Sequence, residues 1–233
     1  IIWNGGTAPT LIDSSSANEV QIFNLTTRDQ GVTWYGYETM KNDPAEPSYA
    51  WSWGYNTSGQ VGLNDRVPRS SPIQLSGTQW SSMAGGTLSM GIKTDGTLWM
   101  WGYESGAWND TVRRSSPTQI PGTQWSGIDP SQNTNAAHFF VTKTDGTLWA
   151  WGVSTVGQLA NNSVVPRSSP IQIPGTQWNI PRTGSQTSIA TKTDGTLWGW
   201  GNNGQGQLSL NDKANRSSPV QIPGTQWNKV ATL

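Results

Sequence analysis

Cysteine is absent from the 233-residue chain, and histidine occurs once, at His138. Disulfide staples, thiolate metal centres and cysteine nucleophiles are thereby excluded. Any serine–histidine pair has a single histidine to draw on. Charge is scarce. Lys, Arg, Asp and Glu make up 12% of the residues, about half the usual share. The 14 basic and 14 acidic residues cancel to a net charge of zero. No basic run exists to follow a phosphate backbone or an anionic bilayer, so nucleic acid is not an expected partner. No apolar run nears the roughly 20 residues of a membrane span, so membrane insertion is not expected either. No apolar pattern keeps the 3.6-residue period of a helix. The chain opens at Ile1 and not at Met, reads as processed or partial, and shows no signal peptide.

Tryptophan and glycine are abundant, with 15 and 27 residues, and their placement is periodic. Trp-x-Trp-Gly occurs at Trp51–Gly54, Trp99–Gly102, Trp149–Gly152 and Trp198–Gly201, the second Trp recurring after 48, 50 and 49 residues. Lys-Thr-Asp-Gly-Thr-Leu precedes three of the four, at Lys93–Leu98, Lys143–Leu148 and Lys192–Leu197. Arg-Ser-Ser-Pro follows all four, beginning at Arg69, Arg114, Arg167 and Arg216. Each repeat then reaches Gly-Thr-Gln-Trp, ending at Trp80, Trp125, Trp178 and Trp227.

Asp95-Gly96, Asp145-Gly146 and Asp194-Gly195 are hairpin signals and predict type I′ turns, which need positive φ at both central residues. Met90 and Ile92 before the first of these turns, with Leu98 and Met100 after it, alternate as strands do. The two Trp of each Trp-x-Trp share one strand face, and the residue between them is Ser52, Met100, Ala150 or Gly199. The proline-bracketed stretches Pro117–Gly122, Pro170–Gly175 and Pro219–Gly224 read as edge strands. A period near 50 residues with about four strands is that of a propeller blade; a β-solenoid is the runner-up.

The unit resembles the repeat of the RCC1 (regulator of chromosome condensation) family. The resemblance rests on Ala84-Gly85-Gly86, the Lys93–Gly102 run, Gly-Gln-Leu at Gly157–Leu159 and Gly206–Leu208, and the Ser-Ser-Pro-x-Gln-Ile runs. It covers residues 48 to 233 and implies an all-β propeller of about four four-stranded blades, near 48–97, 98–147, 148–196 and 197–233. Family repeats carry a His five residues before the Lys; here that position holds Leu88, His138 and Thr187. The second repeat has Gly106-Ala107-Trp108 in place of Gly-Gln-Leu, and the first replaces its Lys-Thr-Asp-Gly strand with Asp43–Tyr49. A four-bladed ring, an open arc and a ring completed by another chain all fit the pattern.

Residues 1–42 do not repeat. They predict strands at Ile1–Trp3, Val20–Thr26 and Val32–Tyr37. The runs Trp3–Leu11 and Thr33–Gly36 resemble a small β module of bacteriophage virion and tail proteins, particularly cyanophage ones. So short a piece makes no secure core alone; it is expected to end a β-sandwich or to pack on the propeller.

Candidate sites are few. Arg69, Arg114, Arg167 and Arg216 occupy equivalent positions and could clamp anionic groups; the favoured reading has them bonded to an adjacent blade. Tyr103 and Trp108 form an aromatic pair on an irregular loop suited to a sugar or a protein contact. Asp129, Asn133 and Asn135 lie in an insertion that lengthens one repeat, and insertions often mark a binding face. Asn64-Asp65, Asn109-Asp110 and Asn211-Asp212 could suggest calcium but read as self-bonded turns. No catalytic residue, cofactor or metal is expected. The favoured function is a non-enzymatic virion or extracellular structural protein of fibre, tail or capsid-decoration type. Its expected partners are other virion proteins or copies of itself. The alternative is an adhesin for a host-surface glycan or protein, and a guanine-nucleotide exchange factor is less favoured.

Overall fold

The computed structural model of the chain describes residues 23–27, 34–38, 48–86, 88–103, 112–128 and 138–227. Every regular element in them is a β-strand. Strands β1 (Phe23–Thr27) and β2 (Trp34–Glu38) form an antiparallel hairpin. They fall close to two of the three strands predicted for the non-repeating segment; Ile1–Trp3 lies outside the described residues. Strand β2 lies beside β3 (Trp51–Gly54), which pairs with β4 (Arg69–Gln74).

Three four-stranded antiparallel sheets follow, each a simple meander. The first comprises β5 (Trp80–Ala84), β6 (Leu88–Lys93), β7 (Leu98–Gly102) and β8 (Arg114–Ile120). The second comprises β9 (Trp125–Ile128), β10 (His138–Lys143), β11 (Leu148–Gly152) and β12 (Arg167–Ile173). The third comprises β13 (Arg182–Thr183), β14 (Thr187–Thr191), β15 (Leu197–Gly201) and β16 (Arg216–Ile222). Each blade thus opens at the Trp of Gly-Thr-Gln-Trp and ends on the edge strand begun by Arg-Ser-Ser-Pro. The proline costs nothing there because an edge strand has one unpaired side. Strand β13 is only two residues long, and Trp178 joins its sheet through an isolated bridge to Lys192. Pro181, unique to this repeat, removes the donor that would continue the pairing.

The Asp-Gly turns differ from the expected type I′. Gly96, Gly146 and Gly195 have φ of +75°, +77° and +80°, whereas none of the preceding Asp residues has positive φ. The Gly96 N–H donates to the Lys93 carbonyl (2.9 Å), and the Lys93 N–H donates to Thr97 (3.0 Å). This is a type I turn followed by one left-handed residue. The Asp carboxylate accepts from Thr two residues on, which holds the loop without a second left-handed residue.

The glycine serves the next blade as well. A Cβ on Gly96 would stand 2.9 Å from the Gln124 nitrogen, and the Gly96 carbonyl accepts the Trp125 N–H (3.0 Å). The same link joins Trp178 to Gly146 and Trp227 to Gly195.

The core lies between sheets. Leu98, Met100 and Ile120 of one blade face Trp125, Phe139 and Trp151 of the next. Phe140, Leu148 and Ile173 face Trp178 and Trp200 in the same way, and Leu75 faces Trp80 and Trp101. The second Trp of the last three Trp-x-Trp units therefore inserts into the preceding sheet. Trp101, Trp151 and Trp200 are sealed from solvent. The Trp200 Nε1–H donates to the Gln158 carbonyl (3.1 Å), while the Trp151 Nε1 has no partner among the described residues.

Trp151→Ala is expected to lower stability by about 3–5 kcal/mol in urea unfolding, through the cavity it leaves. Trp200→Phe is expected to cost about 1–3 kcal/mol more than Trp151→Phe, because only the former strands a buried carbonyl. Equal losses for the two Phe variants would contradict this account.

Candidate functional site

The repeated polar residues converge on two clusters per blade, and both are bonded into the scaffold. The first surrounds the lysine. Lys143 Nζ sits 4.6 Å from the ring centroids of both Trp125 and Trp149. Lys93 lies between Trp80 and Trp99 at 4.9 and 4.8 Å, and Lys192 between Trp178 and Trp198 at 4.3 and 4.9 Å. Each ammonium thus faces two π-systems, and the indole pairs themselves meet edge-on. On the other side of the turn, the Trp149 Nε1–H donates to Thr147 Oγ1 (2.9 Å), whose hydroxyl donates to Asp145 Oδ1 (2.7 Å). The first and third four-stranded sheets repeat this relay through Thr97 and Thr196. The conserved order Lys-Thr-Asp-Gly-Thr-Leu-Trp within the chain is one hydrogen-bonded and cation–π unit. Sequence reasoning left the Lys and the second Thr unassigned, although their strict recurrence beside tryptophan was the available signal.

The second cluster is the arginine corner. The Arg69 Nη1 donates to the Val67 carbonyl (2.7 Å), and its Nη2 bonds the Asp65 carboxylate. Arg216 does the same with Ala214 (2.7 Å) and Asp212. Arg114 reaches the Val112 carbonyl at 2.9 Å. These partners lie in the same repeat, two and four residues earlier, and not in the adjacent blade as expected. The Asp65 carboxylate also takes the Val67 N–H and the Asn56 side chain, and Asp212 takes the Ala214 N–H and Asn203. Arg167 breaks the pattern. Ser163 stands where the other repeats have Asp, so Arg167 has no carboxylate four residues earlier to bond, and it lies exposed next to the exposed Val164 and Val165.

Tyr103 is 38% exposed, and the Arg113 guanidinium lies 5.0 Å from its ring centroid. Trp108, Asp129, Asn133 and Asn135 fall outside the described residues. His138 is buried, with Nε2 3.2 Å from Ser188 Oγ in the next blade and its ring edge-on to Phe140. This serine–histidine contact joins two sheets, and both residues are buried. Among the described residues no group of three His, Asp or Glu side chains could hold a metal ion.

All five bonded Asp carboxyls titrate below their ordinary value of 3.8. At Asp95, Asp145 and Asp194 the chief cause is the hydroxyl of Thr97, Thr147 or Thr196, with that residue's N–H second. At Asp65 and Asp212 it is the Val67 or Ala214 N–H, with the arginine contributing less.

Comparison with known proteins agrees with this geometry. The model of the regulator of chromosome condensation (RCC1) repeat matches residues 49–88 and 194–232. Human WBSCR16 superposes with a TM-score of 0.62 at 20% identity, over 82% of this chain and 56% of that one. Prp20p from Saccharomyces cerevisiae gives 0.61 at 14%, over 82% and 53%. Yeast RCC1 (Prp20) bound to Kap60 gives 0.61 at 13%, over 82% and 51%. The chain spans about half the length of these structures. None of the curated proteins compared matches it in sequence. Fold and repeat together define an RCC1-like β-propeller.

Because the folded carboxyls titrate lower than in the unfolded chain, their contribution is complete above about pH 5 and disappears as pH falls through 3.8 and below. The urea midpoint is expected to stay level from pH 7 to 5 and to drop below about pH 4. Asp145→Asn is expected to lower the midpoint at pH 7 and to blunt the acid drop. A midpoint that holds steady to pH 3 would contradict the carboxylate bonding.

Proposed function

We propose that the propeller is a non-enzymatic structural and interaction protein of a virion, of fibre, tail or capsid-decoration type, used for assembly or display. One observation carries the non-enzymatic part. The repeated Lys, Asp and Thr, and the Arg set apart from Arg167, are bonded inside the scaffold, which leaves surfaces and not a reactive group to do the work. The virion part draws support from the likeness of Trp3–Leu11 and Thr33–Gly36 to a phage structural module, and from a surface with little charge. Mass spectrometry of purified particles, with antibody labelling, tests it. The chain is expected among the particle proteins at a fixed copy number, and its absence would overturn the reading.

A receptor-binding role is the second reading. It draws on the exposed Tyr103 with Arg113 beside the irregular loop carrying Trp108. Under that reading Tyr103→Ala and Trp108→Ala weaken binding to host cells by at least about tenfold, as hot-spot aromatics do. Failure of the unmodified protein to bind both whole host cells and glycan arrays sinks it. Prp20p is described by its binding to Gsp1p and histones; at 14% identity that likeness extends to fold, and this chain is expected not to accelerate nucleotide release from a small GTPase.

A further inference from the structure

One corner of the third repeat departs from its equivalents, and each departure points the same way. Three loops of equal length run from Asn to Arg, at Asn64–Arg69, Asn162–Arg167 and Asn211–Arg216. They fold alike. Asn64, Asn162 and Asn211 have φ of +60°, +57° and +59°. The Val67 N–H donates to Asp65 Oδ1 (3.0 Å) and the Ala214 N–H to Asp212 Oδ1 (2.9 Å). In the third repeat the Val165 N–H donates to Ser163 Oγ (3.0 Å). A hydroxyl thus holds this turn as a carboxylate holds the others, and the arginine that the carboxylate would bond is left over.

Elsewhere that arginine is engaged. Arg69, Arg114 and Arg216 each donate to the carbonyl two residues earlier, and all three are half-buried. Arg167 makes no hydrogen bond or ion pair with any described residue, the Val165 carbonyl included, and it is exposed. The described aspartates are each bonded in their own turns, so none of them competes for it. The neighbouring position changes too. Val164 stands where the other two loops carry Arg66 and Lys213, and Val164 and Val165 are 56% and 53% exposed. Two charges of opposite sign have been replaced, which leaves an aliphatic pair beside one guanidinium without a counter-charge.

The corner is also held in place. Its sheet packs between the sheet of β5 to β8 and that of β13 to β16. The Asn162 N–H donates to the Ser217 carbonyl (2.6 Å), and a Cβ on Gly157 would stand 2.5 Å from Ser217 Cα. A ligand that meets this loop has little backbone to order.

We infer that Arg167, Val164 and Val165 form a docking surface for a polypeptide that presents a carboxylate between aliphatic side chains. The incoming carboxylate bonds the Arg167 guanidinium as Asp65 and Asp212 bond Arg69 and Arg216, in a charge-assisted pair. The partner's aliphatic groups cover the two valines and remove them from water. Two valines offer a sugar no ring to stack on, so a polypeptide fits this surface better than a glycan. The surface rests on the interaction role proposed above and gives one partner its chemistry.

NMR of the intact chain, following valine methyl and arginine Nε–H signals, tests it with the peptide N-acetyl-Leu-Glu-Leu-amide. Saturable shifts are expected at Val164, Val165 and Arg167. The matching Leu-Gln-Leu peptide is expected to bind at least about fivefold more weakly, because it loses the charge-assisted pair. Arg167→Gln is expected to abolish the shifts at the valines and to leave the urea midpoint unchanged. Arg69→Gln is expected to do the reverse, lowering the midpoint and keeping the shifts. Ser163→Asp supplies the missing carboxylate from within the loop, and is expected to raise the midpoint and weaken the Glu peptide at least about fivefold. Absent shifts, or equal binding of the two peptides, overturn the surface. So does an Arg167→Gln midpoint that falls as far as that of Arg69→Gln, since the guanidinium is then bonded within the chain. Shifts at these residues with trigalacturonate and none with the peptide overturn it in favour of a glycan. Detection in particles is a separate measurement: a chain found there that ignores the peptide refutes this surface alone, and one that binds the peptide but is missing from particles refutes the virion role alone.

Discussion

Everything in this fold depends on the joint between one blade and the next. A single four-stranded sheet of this size buries too little to stand alone. Its apolar side chains find cover only when the tryptophan of the following repeat enters between Leu and Ile of the preceding one, as Trp151 does against Leu98 and Ile120. The backbone link from Trp125 to the Gly96 carbonyl sets the spacing at which this happens. A side chain larger than hydrogen at Gly96 would strike the Gln124 backbone. Turn, link and indole insertion are one device, and their repetition explains why so much of the sequence is held nearly constant from repeat to repeat.

The same device accounts for the scarcity of charge. The lysines are enclosed by indoles, and the turn aspartates are bonded to threonines. Two arginines close their own loops onto aspartates four residues earlier. Most charged residues that recur once per blade serve local geometry. Surface chemistry is left to Ser, Thr, Asn, Gln and a row of exposed valines at Val67, Val112, Val164 and Val165. That is a surface suited to contact over area and poorly suited to long-range electrostatic capture.

Departures from the repeat are therefore the informative positions. Ser163 in place of aspartate releases Arg167 to solvent. Pro181 truncates one strand. Tyr103 and Arg113 flank the loop in which the Gly-Gln-Leu pattern fails. Among the described residues the Trp151 Nε1 has no counterpart of the carbonyls that Gln60 and Gln158 supply to Trp101 and Trp200.

By itself the sequence determined the fold class, the strand positions within each repeat and the turn sites. These depend on local patterns: alternation, Asp-Gly pairs, prolines at an edge and a fixed period. It could not determine the turn type, because whether Asp145 takes a left-handed φ depends on Thr147 being within bonding reach. Nor could it pair Lys143 with Trp125 and Trp149, residues 18 and 6 positions away in the chain. The partners of the arginines lay two and four residues away, yet reading symmetry alone pointed to the neighbouring blade. Above all, it left ring, arc and shared ring equally open. Identical repeats carry identical local signals whether or not a neighbour is present. Only the tertiary arrangement shows the loop of one repeat seated on Ser115 or Ser217 of the next.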